Sequence, residues 1–164
     1  MPIVNIKNLD VSSFAVNDKS KFVYINEPPN IQLPYMKAPF GVGGYDGSKT
    51  LDLSLSDEEV QQKFEELDKF AETHATGEYK SIIRPSNDER YDPTIRVKLT
   101  DSTQYFTADG EETDITAIKR GASLGVVFIP ALIWNIGANS GFALRAEMVV
   151  TPQKPRLSFT DVEW

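Results

Sequence analysis

The chain of 164 residues has no cysteine and a single histidine, His74. Disulfides, thiolate metal sites and cysteine nucleophiles are therefore excluded, and zinc sites of the Cys/His kind cannot be assembled. His74 is read as a capping or packing residue at the end of a helix. Positive charge is scarce, since 17 Lys and Arg face 24 Asp and Glu for a net charge of −7. A long apolar run is missing as well. The most apolar stretch, SLGVVFIPALIWNIGANSGFALRAEMVV at 123–150, has its core in the thirteen residues from Leu124 to Ile136, fewer than the about 20 that a membrane-spanning helix needs. The opening MPIVNIKNLD has no basic region followed by an apolar one, so nothing reads as a secretory signal and an intracellular protein is expected.

What is present fits one folded domain. Hydrophobic residues make up 40% of the chain and charged ones 25%, an ordinary globular balance. The domain is expected to fill 1–164, with an N-terminal extension at 1–20 and a C-terminal tail at 152–164. One helix is legible from Asp57 to Glu72, where Val60, Phe64, Leu67 and Ala71 recur at helical spacing behind Ser56 as cap, with Glu59 completing a capping box. Gly77 is expected to stop it. Elsewhere the period is two: Leu51, Leu53 and Leu55 oppose Asp52 and Ser54, and Ile95, Val97 and Leu99 oppose Arg96 and Lys98. Further strands are expected at 21–26, 31–36, 79–83 and 115–118. The stretch at 123–150 reads as a β-hairpin whose turn lies in GANSG, with a bulge or corner at Pro130. Its first arm, apolar on both faces, is expected to be central, with Trp134 in the core rather than stacked on a base. The second arm alternates Arg145 and Glu147 with apolar residues and forms a wall.

This order predicts a mainly β fold with one α-helix. The expected form is an OB-like antiparallel barrel, as in oligonucleotide-binding folds, with extra strands and the amphipathic helix between strands 3 and 4.

The negative charge is unevenly placed. The helix holds seven acids against two lysines and DGEETD at 109–114 holds four more, so outside these segments 15 basic residues face 13 acidic ones. A basic face can therefore exist on an acidic protein. Arg96 and Lys98 emerge on one side of a strand about 7 Å apart, close to a phosphate repeat. Catalytic signals are weak by contrast. GVGGYDG at 41–47 lacks the spacing of a dinucleotide or phosphate loop and is read as a flexible turn. DGEETD misses the ligand spacing of a calcium loop and is read as a solvated turn. Aromatic residues (Tyr35, Phe40, Tyr45, Tyr79, Tyr91, Tyr105, Phe106) are interleaved with Lys37, Lys49, Arg84, Arg90, Arg96 and Lys98. Bases can stack on the former while the latter track phosphates, without any demand on nucleotide sequence.

Three ordered segments carry a resemblance. They hold Gln32, Pro34, Met36, Pro39, Phe40 and Gly41; then Tyr91, Pro93, Thr94 and Lys98; then Ile133, Trp134, Ser140 and Gly141. In this order the chain resembles the single-stranded DNA-binding proteins of large DNA viruses of eukaryotes and, more distantly, those of tailed phages, over most of 31–150. The resemblance implies an OB-like protein that coats and protects single-stranded DNA in viral replication or recombination, without catalysis and without a cofactor or metal. Phage members end in an acidic tail closed by an aromatic residue that recruits replication partners, which makes Asp161, Glu163 and Trp164 of the closing SFTDVEW the candidate tail. If the protein is viral, its place is the host-cell site of viral DNA replication.

Together these readings nominate Lys37, Arg84, Arg90, Arg96, Lys98 and Arg145 for phosphates, and Tyr35, Phe40, Tyr79, Tyr91 and Tyr105 for base stacking, with the acidic helix turned away. The expected partners are single-stranded DNA and replication proteins; a homodimer stays open and no membrane is involved. Two other classes stay open: a β-sandwich assembly protein that self-associates, with no nucleic-acid role, and a carbohydrate-binding or carbohydrate-active module, which rests on exposed aromatics alone.

Overall fold

The computed structural model describes residues 3–19, 21–44, 48–88 and 90–151. Within them the strands are β1 (Ile3–Asn5), β2 (Val16–Lys19), β3 (Phe22–Ile25), β4 (Asn30–Gln32), β5 (Met36–Lys37), β6 (Val42–Gly43) and β7 (Lys49–Ser54), then, after helix α1 (Glu58–Thr73), β8 (Glu78–Tyr79), β9 (Ile83–Arg84), β10 (Thr94–Leu99), β11 (Gln104–Thr107), β12 (Ser123–Ile136) and β13 (Asn139–Thr151). The fold is mainly β with a single helix, and its sheet is open, running β1-β4-β12-β13-β10-β7-β6. The frame is the antiparallel hairpin β12–β13, continued by the antiparallel pair β7–β10. Four pairings are parallel instead: β1 with β4, and β8, β10 and β11 with β13. β13 is long enough to meet β8, β10 and β11 at successive positions along its length, which adds these parallel contacts to the antiparallel set the sequence suggested.

Several elements differ from expectation for identifiable reasons. The segment 31–36 breaks at Pro34, which has no N–H for a ladder, so β4 and β5 are separate. The segment 79–83 is split because Asp68 Oδ1 accepts a hydrogen bond from the Ile82 N–H at 2.9 Å. Residues 115–118 form a 3-10 turn, not a strand, since the Asp114 carboxylate accepts from the Thr116 N–H at 2.9 Å and offers the backbone a local partner. The helix cap is Asp57, not Ser56. Its carboxylate accepts from the Glu59 and Val60 N–H groups at 2.9 and 3.4 Å and pairs with Lys7 at 3.2 Å. The Lys7 contact, above all, holds the Asp57 carboxyl below its ordinary range. A charged cap also meets the positive end of the helix dipole, which Ser56 cannot do. At the other end His74 is the C-cap and packs edge-on against Phe70 at 5.1 Å. Gly77 lies beyond it for a different reason: a Cβ there would come within 2.6 Å of the Ala138 backbone.

The helix buries Val60, Phe64, Leu67 and Ala71 against the sheet, and Phe64 stacks on Phe128 with centroids 5.7 Å apart. The segment 1–20 does more than extend the domain, because Ile6 and Leu9 are buried in the core and Lys63 Nζ donates to the Leu9 carbonyl at 2.8 Å. Among the described residues no helix is long and apolar enough to cross a membrane.

Candidate functional site

Strand β12 changes its inward face partway along. Val126 and Phe128 are buried, yet farther on Ile133 and Asn135 are buried while Leu132 and Trp134 are half-exposed and Ile136 is exposed. The cause is the register shift against β13 between Pro130 and Leu132, which leaves Ala131 as an extra residue in β12; the earlier shift, between Val127 and Phe128, leaves Glu147 extra in β13 instead. An extra residue at a bulge reverses the alternation for everything that follows. Trp134 therefore lies on the outer face, against the expectation that it packs in the core.

Its position there is tightly defined. Trp134 pairs with Gly141 across the hairpin and with Phe22 on β3. The indole lies so close over Gly141 that a Cβ at that position would come within 2.5 Å of Cε2 and 2.8 Å of Nε1. Only glycine leaves room for it. Leu132 opposes Tyr24 one step along the same strand pair, so the outer face presents Phe22, Tyr24, Leu132 and Trp134 as an apolar floor.

Basic residues border this floor. Arg96 opposes Asp52, Lys98 opposes Thr50 on one side and Arg145 on the other, and directly opposed residues in a sheet point the same way. Arg96, Lys98 and Arg145 thus share one face. A cleft of about 570 Å³ is lined by Phe22, Trp134 and Leu132 together with Arg84, Arg96 and Lys98, with Lys80 also in its lining. A second cleft of about 400 Å³ holds Phe40, Gly43, Ser48 and Asp52 and shares Thr50 and Arg96 with the first. The two make one trough. Arg96 is held by Asp52 through Nε to Oδ1 at 2.7 Å and Nη2 to Oδ2 at 3.2 Å. Arg145 donates twice to Glu147 Oε1, at 3.1 and 3.0 Å. Lys98 makes no ion pair among the described residues. On the other face of the same sheet, Phe142 meets Phe70 of the acidic helix at 6.4 Å, so α1 packs across the sheet from the trough; of its carboxylates Asp68 reaches the rim, where Ser81 and Ile82 of the cleft lining donate to it. No group of acids and His among the described residues could hold a metal.

Of the residues nominated from the sequence, Phe40, Arg84, Arg96 and Lys98 come together in the trough, and Arg145 shares its face. Tyr35 and Lys37 do not. Tyr35 lies over Gly125, nine positions from Trp134 along β12, or about 30 Å at the usual strand rise. Arg90 pairs with Asp88 at 2.7 Å in the loop before β10 and lies 6.0 Å from the Tyr91 ring, which is exposed outside the trough's lining. The Asp88 pairing raises the Arg90 pKa. Tyr79 packs on the core and its hydroxyl donates to Asp68 Oδ1 at 2.6 Å. Burial, then the Asp68 contact, pushes its phenol above the usual range. Tyr105 packs against the core from β11, with its phenol pushed up by burial. Both rings pack against the core and neither lines the trough. Asp161, Glu163 and Trp164 lie outside the described residues.

The sequence reading missed Trp134, Phe22, Leu132 and Lys80 as lining. The available signal was Pro130 upstream of Trp134, because the bulge it marks decides which face the tryptophan takes.

No family profile matches the sequence, and no curated protein is similar to it in sequence. Solved structures do match. The single-stranded DNA-binding protein from bacteriophage Enc34 in complex with ssDNA superposes with a TM-score of 0.55 at 14% identity, covering 91% of this chain and 99% of that one. A C-terminal truncation of the Enc34 protein gives 0.56 at 11% identity over 88% and 98% of the two chains. The Enc34 protein in a further structure gives 0.56 at 12% identity over 91% and 98%. The chain shares their fold.

Proposed function

We propose that the protein binds single-stranded DNA along the trough. The observation that carries this reading is Trp134 seated on Gly141 beside Phe22 and Leu132, with Lys98 and Arg84 at the border. Flat apolar groups next to cations are what sequence-tolerant strand binding requires: bases stack on the first and phosphates pair with the second. The shared fold with the Enc34 protein, which is solved in complex with ssDNA, supports the same reading. The separation of charge explains how a chain of net charge −7 can do this, since its acidic helix lies across the sheet from the trough. The role in the cell that we propose is coating and protecting single strands during viral replication or recombination, at the site of DNA synthesis in the host cell. The tail at Asp161, Glu163 and Trp164 would dock replication proteins. Stacking and ion pairing need neither a cofactor nor a catalytic group.

The test is a fluorescence-anisotropy titration with labelled oligonucleotides at several salt concentrations. Expected is binding to single strands that weakens steadily with salt; no binding, or affinity indifferent to salt, overturns the proposal.

A further inference from the structure

We infer that the Arg96–Asp52 pair is a flat, neutral plate that contacts a base rather than a phosphate, dividing the trough into two base subsites. The inference rests on the single-stranded DNA reading above.

The pair is built into the sheet. Arg96 and Asp52 are directly opposed on β10 and β7, so the backbone register holds them together whether or not a ligand is present. The Nε contact, at 2.7 Å, has the length of a charge-assisted hydrogen bond, and the longer Nη2 contact, at 3.2 Å, completes the bidentate arrangement typical of Arg and carboxylate. The Asp52 side chain is only 14% exposed and that of Arg96 is 40% exposed, so the carboxylate lies below and the guanidinium faces the trough.

Two consequences follow from this geometry. The charge of Arg96 is already matched, and a phosphate binding to it would displace a preorganised partner or share its donors with it. Lys98, two residues along the same face, has no such partner among the described residues and is the better phosphate ligand. What Arg96 still offers is a delocalised plane, more weakly hydrated than an ammonium, and such planes stack on aromatic faces. Its position suits that role, since Arg96 is common to both clefts, with Trp134 in one and Phe40 in the other. A strand lying in the trough would meet Trp134, the guanidinium plate and Phe40 in turn.

The test compares salt-dependent titrations of the wild-type chain and three variants against one labelled oligonucleotide, with thermal melting to confirm folding. In Asp52→Asn/Arg96→Gln the plate is lost without a change in net charge. Affinity is expected to fall about tenfold for one lost stacking contact, with the slope of log affinity against log salt unchanged. Arg96→Lys keeps the charge and loses the plane, and is expected to bind as weakly as the double variant. Asp52→Asn alone removes one negative charge from the trough beside Arg96, so its slope is expected to steepen by about 0.7, the value for one added phosphate contact on a single strand. A slope flattened by about 0.7 in the double variant, or wild-type affinity in Arg96→Lys, identifies Arg96 as a phosphate contact and overturns the inference. Unchanged affinity and slope in all three folded variants makes the pair purely structural and overturns it too. If the double variant fails to fold, Arg96→Lys carries the decision. Lack of binding by the wild-type chain overturns the single-stranded DNA reading itself, a different result from binding that the variants leave unaltered.

Discussion

The two halves of strand β12 are equally apolar, yet they face different surroundings. Before Pro130 its even-numbered residues, Val126 and Phe128, enter the core, and Phe128 stacks beneath the helix on Phe64. Beyond the register shift the even-numbered Leu132 and Trp134 point away from the core and line the trough, while Ile133 and Asn135 take the inward positions. Hydrophobicity assigns both halves to burial. The bulge keeps Ile133 of the second half in the core but turns its even-numbered residues out, and these become a half-exposed apolar floor of the kind that marks an interaction site.

Substitutions on the two halves should therefore have opposite signatures. Phe128→Ala removes a fully buried ring and is expected to destabilise the fold by about 3 to 5 kcal/mol, read as a shift of the denaturation midpoint. Trp134→Ala should cost about 1 to 3 kcal/mol of single-stranded DNA affinity while the melting temperature falls far less than in Phe128→Ala. If Trp134→Ala unfolds the protein and leaves the affinity of the folded fraction intact, the contrast between the halves is wrong.

A smaller effect tests whether Tyr79 belongs with the core. Tyr79→Phe removes its bond to Asp68 and is expected to cost about 1 kcal/mol of stability, with unchanged DNA affinity. The phenol is harder to ionise when folded than when unfolded, so its contribution is fully present below the unfolded value near pH 10 and is lost as the pH rises above it. An absorbance titration of wild type against Tyr79→Phe should show this phenol ionising only at higher pH than an exposed one. A strong loss of binding in Tyr79→Phe would place it with the trough instead. The smallest effect is expected from Lys98→Ala, where the salt slope should flatten by about 0.7 with a modest loss of affinity at low salt. An unaltered slope would remove Lys98 from the phosphate track.

Strand β10, the central part of α1 and the hairpin were legible in the sequence because each depends on a local period. Ile95, Val97 and Leu99 alternate with Arg96 and Lys98, and Val60, Phe64, Leu67 and Ala71 recur every three or four residues. The turn was legible too, since Gly137 takes φ 61° between the two arms, as a two-residue hairpin connection favours. The short strands before β7 were read too long, because Pro34 broke one of them, and 115–118 was misread because the Asp114 side chain competes for its backbone.

For the site, the sequence determined which chemistry was available. The lack of cysteine and the single histidine removed cysteine nucleophiles and Cys/His zinc sites, and basic residues alternating on a strand pointed to stacking and ion pairing. It also determined that Arg96 and Lys98 leave β10 on the same side. Tertiary structure decided which aromatics join them. Tyr79 and Tyr105 look like Tyr91 in the sequence, but packing placed the first two against the core. Trp134 looks like a core residue, and a change of register more than one residue away turned it outward onto Gly141. Alternation along a strand is a local property, but the surface that each face meets is set by pairings between distant segments.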